Sequence, residues 1–514
     1  MHEANPQPVV PFPGRTLAVW SSFATVIPAR WWSAAAFLAP FALFCFTLVP
    51  DVGYWDTAEM ETVPYIFGIA HPTGFPTFVV AGWFFSHIYP FGTVAYRLGL
   101  MSAVAMAGAA WCAYATVVEL GEEPPVAAAA AMLFAAGNIV WTRGTRTEVH
   151  AFAVAFSALV LWQAVRFQRT GNARAFFGTA LAYGLALATH GIATLLAPGL
   201  AMLLASRGRS LTPGIALRAG ALFVAPLLLY LYIPLRSAQL FAAKTDPTLA
   251  LGIPPGRPFW DNFHPASFGE FVRYMGGGEG SQVGVGFSKM VDWSLYPDVG
   301  ARFAAATLHE VGPFAVFFAL IGIALAFKRD AWLALGLIVA CGLCVPYGLL
   351  YPEADQERYL MTAFWGIAVF AAYGAGQSIK TYLDDNASLA RVAATVLLYA
   401  AAFGLIWTGR DTFGQRHDPG ARQFIDKVVA NTPDGAIIVA NWTFATPLGY
   451  AAYVDHTLGH RIVVTAFPGD YSAFYPNWLQ SHRIFLVNQP AWEDPTIRQT
   501  IVASDPGILE LEKK

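Results

Sequence analysis

The sequence predicts a polytopic α-helical membrane protein of about eleven transmembrane helices. It also predicts interfacial helices in the first outer loop and a small C-terminal α/β domain outside the membrane. Three observations carry this expectation. Of 514 residues, 56% are hydrophobic and only 12% are charged, about half the charge of an ordinary soluble domain. Apolar runs recur from Trp31 to Trp407, several reaching the ~20 residues needed to cross a bilayer core of about 30 Å. After Arg410, short β-branched runs alternate with helix-like stretches instead.

The segment 1–30 is polar and Pro-rich and reads as a cytoplasmic N-terminal segment, with no cleavable signal evident. Residues 31–408 read as the membrane domain, with spans over Ser33–Pro50, Leu98–Val118, Val126–Trp141, Val149–Val165, Ala175–Thr189, Ile192–Ala205, Ile215–Pro234, Ala305–Phe327, Ala331–Leu350, Leu360–Gln377 and Val392–Trp407. The run Thr77–Pro90 is short and bracketed by Pro76 and Pro90, which suits an interfacial or re-entrant helix. Charge parity supports that choice. With this run not crossing, Arg15, Arg30, Arg166, Arg169, Arg174, Arg207, Arg209, Lys328, Arg329, Lys380 and Arg391 share one side, as cytoplasmic loops should. Asp51–Arg97, Thr142–Glu148, Arg236–Arg302, Tyr351–Arg358 and the tail then lie outside.

In the tail, residues 409–514, strands are expected at Ala436–Ala440, Arg461–Thr465 and Arg483–Val487. Helices are expected at Ala421–Ala430, Ala445–Val454 and Tyr471–Gln480, giving a partly parallel sheet. The tail carries no GxGxxG or Walker loop, so it reads as a packing or acceptor-docking domain. Asn441-Trp442-Thr443 fits a glycosylation sequon. A net charge of −2 gives no field for nucleic acid. Cys341 and Cys344 form a CxxC, but within one apolar helix and without a second pair, so they read as small core residues.

The chemistry gathers on the outer side. Asp56 and Glu59 are three apart and share a helix face, where mutual repulsion in a dry site raises at least one pKa and poises a general base. Asp56 equally reads as the N-cap of its helix. His71-Pro-Thr-Gly-Phe-Pro76 is a proline-framed turn in which Gly74 permits close backbone approach, and His71 alone also reads as a structural hydrogen-bonding group. Arg143, Arg146, Glu148, His150, His190, Arg236, Arg358 and Tyr359 sit at outer helix mouths. An arginine fork suits phosphate or diphosphate; any single one also reads as an ion pair or lipid contact.

These residues carry a resemblance. Asp56-Thr-Ala-Glu59, Gly68-Ile-Ala-His71-Pro-Thr-Gly-Phe-Pro76, Trp141 with Glu148-Val-His150, Thr189-His190, Tyr232-Ile-Pro-Leu-Arg236 and Arg358-Tyr359 fall in order along the membrane portion. In these the sequence resembles the GT-C membrane glycosyltransferases. It is most similar to the protein O-mannosyltransferase-like group (glycosyltransferase family 117) that includes transmembrane protein 260 and bacterial relatives. Thr73 departs from the group's second proline, Thr57-Ala58 from its Ser-Gly, and His150 from its more usual Tyr. The resemblance implies a GT-C-like bundle in a bacterial plasma (inner) membrane. It implies transfer of a sugar, mannose first, from a polyprenyl or dolichyl phosphate to a protein Ser/Thr hydroxyl, with inversion, on the extracytoplasmic side. Asp56 would be the base and Glu59 would hold the sugar or tune Asp56. His71 would orient the loop or contact the sugar, Arg236 and Arg358 would bind the lipid phosphate and stabilise the charge left on it, and Arg143, Arg146 and Glu148 would line the donor or acceptor side. No cofactor is implied, and a divalent metal is left open without a ligand set. Membrane lipid and a protein or glycan acceptor are the expected partners. The rival readings are a transferase acting on a glycolipid or cell-envelope polymer, and a transporter of lipid-linked sugars. The absence of a clear internal repeat and the clustering of polar residues at one mouth favour the enzyme over the transporter.

Overall fold

The computed structural model describes residues 27–205, 212–277, 287–352, 355–382, 387–490 and 492–514. Most of the expected N-terminal segment, with Arg15, Arg207, Arg209 and the side chains of Lys380 and Arg391, lies outside the described residues.

The chain runs through α1 (Ala29–Phe46), α2 (Asp56–Ile66), α3 (Pro76–Ile88), α4 (Val94–Glu119), α5 (Pro124–Ala136), α6 (Asn138–Gly144), α7 (Val149–Thr170), α8 (Ala173–Leu187) and α9 (Gly191–Ala205). It continues through α10 (Pro213–Ala242), α11 (Phe268–Met275), α12 (Trp293–Arg329), α13 (Ala331–Leu350), α14 (Gln356–Ser378) and α15 (Val392–Thr408). Among the described residues, seven helices (α1, α4, α7, α10, α12, α13, α14) are long and apolar enough to cross a membrane. Two bent pairs bring the number to nine: α5 with α6, bent by 76°, and α15 with the stretch Arg410–Asn431, bent by 48°. The protein is thus a polytopic helical membrane protein. The runs expected at Ala175–Thr189 and Ile192–Ala205 form α8 and α9, shorter apolar helices hinged at His190. The run after Pro76 forms α3, a helix of 13 residues with proline in its first turn; its Thr77 amide donates to the Ala188 carbonyl (2.9 Å), fastening it to the end of α8.

The expected single span Val126–Trp141 is instead broken at Gly137, and the break has a specific partner. The first amides of α6 have lost their carbonyls in α5, and Glu310 of α12 supplies the acceptors: Ile139 N–H at 2.9 Å and Val140 N–H at 3.0 Å. Glu310 is fully buried. Its carboxyl fills the space that a side chain at residue 137 would occupy, so only glycine fits there. Next to it α12 bends at Gly312, φ 78°, followed by Pro313. Unmet amides at this depth are costly, and the carboxylate complements the helix N-terminus.

The tail folds as a five-stranded sheet in the order β2-β1-β3-β5-β4. β1 (Ile437–Ala440), β2 (Ile462–Thr465) and β3 (Ile484–Val487) are parallel, with Ile438 opposite both Val463 and Phe485. Both faces are covered, so β1 and β3 are buried throughout, as their unbroken apolar sequences require. Helices α16 (Arg422–Asn431) and α17 (Trp442–Tyr453) lie close to two of the three expected stretches, and within the third only Tyr475–Trp478 forms a single α-helical turn, α18. The antiparallel hairpin β4 (Ile497–Ser504) and β5 (Gly507–Lys513) was not anticipated. One apolar core joins Val52, before α2, and Met60 and Val63 of α2 to Phe424, Ile438 and Tyr450 of the tail.

Candidate active site

A cavity of about 1100 Å³ lies between α2, the turn after it, the α6–α7 connection, the His190 hinge, the start of α14 and the tail helix α17. Its floor is the turn Gly68–Pro76. Ile69 N–H donates to Trp260 O (2.6 Å) and Tyr274 O–H to Ala70 O (2.5 Å), pinning the turn to the stretch after α10 and to α11. Gly74, φ 81°, lies so close to Tyr274 and Ile233 that an added Cβ would sit 2.7 Å from each. The backbone is held where it presents His71 to the cavity.

Asp56 opens α2, but the N-cap reading fails: the cap residue is Trp55, and no side chain caps the helix. The Asp56 carboxylate faces the cavity instead. Its Oδ1 accepts from Trp442 Nε1 (3.0 Å) and its Oδ2 pairs with Arg358 Nη1 (3.4 Å). Glu59, fully buried, accepts from His71 N–H (2.7 Å) and pairs with His71 Nδ1 (2.5 Å). Burial pushes the Glu59 carboxyl up, against the His71 charge that lowers it. Burial disfavours a charged His71, yet the Glu59 carboxylate, with Asp56, raises it to about 9. Of the two acids expected on one face, Glu59 takes the upward shift. Its carboxyl holds His71 and does not itself line the cavity. A neighbouring acid missed in the sequence, Glu61, is 2% exposed and accepts from Gly53 N–H (2.9 Å); burial pushes it up to about 8.

Across the cavity stands a cationic wall. Arg143, at the C-terminal end of α6, donates to Glu148 (3.2 Å) and to Asp355. Burial would push Glu148 up, but the His150 ring and the Arg143 and Arg358 guanidiniums hold it well below the usual carboxylate range. Glu148 also accepts from His150 Nδ1 (2.8 Å). Arg143 Nε, Arg146 Nε and His150 Nε2 are buried without a hydrogen-bond partner. His190 stacks on Phe75 (5.4 Å between centroids) and meets the His150 ring at 4.7 Å, while Tyr359 packs edge-on to His150 at 5.1 Å. Arg358 lies over the Tyr359 ring at 5.3 Å.

The structure therefore brings together Asp56, His71, Arg143, Arg146, Glu148, His150, His190, Arg358 and Tyr359 in one cavity, with Glu59 directly behind His71. Arg236 is the correction. Its Nε and Nη2 donate to Phe67 O (2.9 Å) and Ile66 O (3.2 Å), satisfying the open carbonyls at the C-terminal end of α2, and it does not line the cavity. Trp442 and Asp355 are additions that sequence reasoning did not name as site residues. Asp56, Glu59 and His71 offer one ligand atom each within 4.8 Å of one another, a set that could hold a metal ion. Glu59 and His71 pair with each other, and Asp56 pairs with Trp442 and Arg358. Ser237, Asp261 and His264 make a second polar cluster, but Ser237 Oγ and Asp261 both approach the same ring nitrogen, Nδ1 (3.0 Å each). A relay through the imidazole needs its two nitrogens, so this cluster clips α10 to the stretch that follows it.

Residues 56–212 match the family model described as the Protein O-mannosyl-transferase TMEM260 N-terminal domain. Protein O-mannosyl-transferase TMEM260 of Mus musculus is 30% identical over 213 residues, covering 40% of this chain and 30% of the mouse protein. The tmem260 protein of Dictyostelium discoideum is 29% identical over 135 residues, 26% of this chain and 16% of that protein. The chain thus spans less than a third of the length of these curated relatives. Among solved structures, ArnT from Cupriavidus metallidurans bound to undecaprenyl phosphate has the same fold at a TM-score of 0.50 and 10% identity, over 97% of this chain and 98% of that one.

Proposed function

We propose that the protein is a membrane glycosyltransferase that moves a sugar, mannose first, from a polyprenyl or dolichyl phosphate to a Ser/Thr hydroxyl on the extracytoplasmic face. The observation that carries this reading is the convergence, in one cavity, of the Asp56 carboxylate with the guanidiniums of Arg143, Arg146 and Arg358. Asp56 takes the proton as the acceptor oxygen attacks the anomeric carbon. The C1–O bond to phosphate breaks on the opposite face of the sugar, which inverts the centre, and the lipid phosphate leaves with the bonding electrons. Arg143 and Arg146 line the cavity and keep buried Nε–H groups without a partner, spare donors for the charge that develops on the lipid phosphate. Holding both reactants at a membrane surface contributes through proximity.

The relatives' printed activity and the ArnT ligand support this donor and acceptor class. The reading includes eleven spans, with α8 and α9 as two short ones, a plasma-membrane location in a bacterium, and the division into 1–30, 31–408 and 409–514. Protein is the first acceptor class; a glycolipid or envelope polymer is the second, and an acceptor panel separates them. The decisive assay uses the purified full chain in liposomes with polyprenyl-phosphate mannose and a Ser/Thr peptide. Asp56→Asn is expected to lower kcat by at least ~100-fold, the range of a general base, and Arg358→Ala to raise the donor KM and lower kcat. Activity untouched by both changes would sink the mechanism. Donor crossing the bilayer without transfer would point to a transporter.

A further inference from the structure

We infer that the tail helix α17 is part of the catalytic apparatus, with Trp442 the positioning residue that sets the Asp56 carboxylate. This rests on Asp56 being the base. Trp442 lies 386 positions from Asp56 and outside the residues matched by the family model, yet its indole N–H donates to Asp56 Oδ1 at 3.0 Å. Arg358, from the membrane domain, takes the other oxygen. One oxygen of the carboxylate is thus fixed from the membrane side and the other from the tail. The ring plane is set in turn, because Trp442 packs edge-to-face on Phe259 (6.3 Å) and on His71 (6.2 Å) and lines the cavity itself.

The same helix holds the residue before the base. Trp55 has φ 58°, a left-handed conformation that a bulky side chain adopts only when its surroundings impose it. α17 imposes it from both sides of the peptide: Thr446 Oγ1 donates to Trp55 O (2.9 Å), and Trp55 N–H donates to Thr443 O (3.4 Å). Three contacts from one turn and a half of α17 therefore fix where α2 begins and where its first carboxylate points. A domain present only for docking or packing has no need to reach a reacting group.

The test compares three variants of the full chain in the same liposome assay. Trp442→Phe keeps the ring and removes the N–H. It is expected to lower kcat about tenfold, the worth of a hydrogen bond to a charged group, with the donor KM within about twofold. The acid limb of the pH–rate profile moves to higher pH, because the charged form of the base loses a donor. Trp478→Phe is the matched control in the same domain, since its indole donates to Leu251 O (2.9 Å), remote from the base; it is expected to leave the limb in place. Asp56→Asn separates the two levels. Were it fully active, the assignment of the base would fail. An inactive Asp56→Asn beside a Trp442→Phe with native kcat and pH profile overturns the inference, as does equal loss in both Trp variants without a shift of the limb.

Discussion

His71 and Glu59 hold a proton between a buried carboxyl and a half-buried ring, 2.5 Å apart. The folded-state pKa of His71, about 9, stands above its ordinary 6.5. Its contribution to stability is therefore fully present below about pH 6.5 and is lost as pH rises through 9. The raised Glu59 acts in the same direction, costing stability as pH climbs above the usual carboxylate range. The expected result is that the native protein loses more thermal stability between pH 7 and 10 than His71→Gln does, measured by melting in detergent. Equal losses would remove His71 as the titrating group. At this scale the sequence was partly legible: an acid pair three apart in a dry loop does contain a shifted carboxyl. Its Arg236 was misread, because an arginine at a helix mouth looks the same whether it meets an anion or a row of carbonyls. Only the direction of the side chain distinguishes them. Arg236→Ala is accordingly expected to cost about 1–3 kcal/mol through two lost charged hydrogen bonds, with donor KM unchanged once the protein is folded.

The broken pair α5–α6 carries the cationic wall. α6 ends at Arg143 and begins at amides held by Glu310, so a carboxylate at one end of a seven-residue helix governs an arginine at the other. Glu310→Ala leaves two buried amides without acceptors, each costing about 1–3 kcal/mol. It is expected to lower stability by that order and to weaken donor binding, whereas Glu310→Gln, which keeps one acceptor oxygen, is expected to lose less. Titration of thermal stability and donor KM in the two variants checks both. The break itself was invisible in the sequence, since the Ala-rich residues before Gly137 and Ile139-Val140-Trp141 after it read as one apolar run, and the partner lies on a distant helix. The strands β1–β3 were legible because parallel, doubly covered strands must be apolar throughout. The β4–β5 hairpin was not, because its exposed strands are written in charges such as Arg498 facing Glu512 (2.6 Å).

At the scale of the whole molecule, the tail and the segment that leads into α2 form one body. Arg422 bridges Asp51 (2.8 Å) and Asp455 (2.6 Å), and Ala421 N–H donates to Val52 O (2.7 Å). Reversing the charge, Arg422→Glu, places three acids together in a half-buried setting. It is expected to lower kcat more than donor KM, because it loosens the loop that carries Asp56 while leaving the arginine wall intact; kinetics in liposomes check this split. The sequence revealed a tail outside the bundle but gave no sign that its Asn441-Trp442-Thr443 stretch faces the cavity, since that contact joins distant parts of the chain. Glu310 has one more consequence, and it concerns the order of assembly. The amide of Ile139 waits for a carboxylate made 171 residues later. The Arg143 end of the cavity can settle only after α12 has entered the bilayer, so the early helices are held in the ribosome's wake as an unfinished half. A nascent chain arrested before Trp293 is expected to remain cleavable by protease around residues 137–148, and one extended past Arg329 to be protected there.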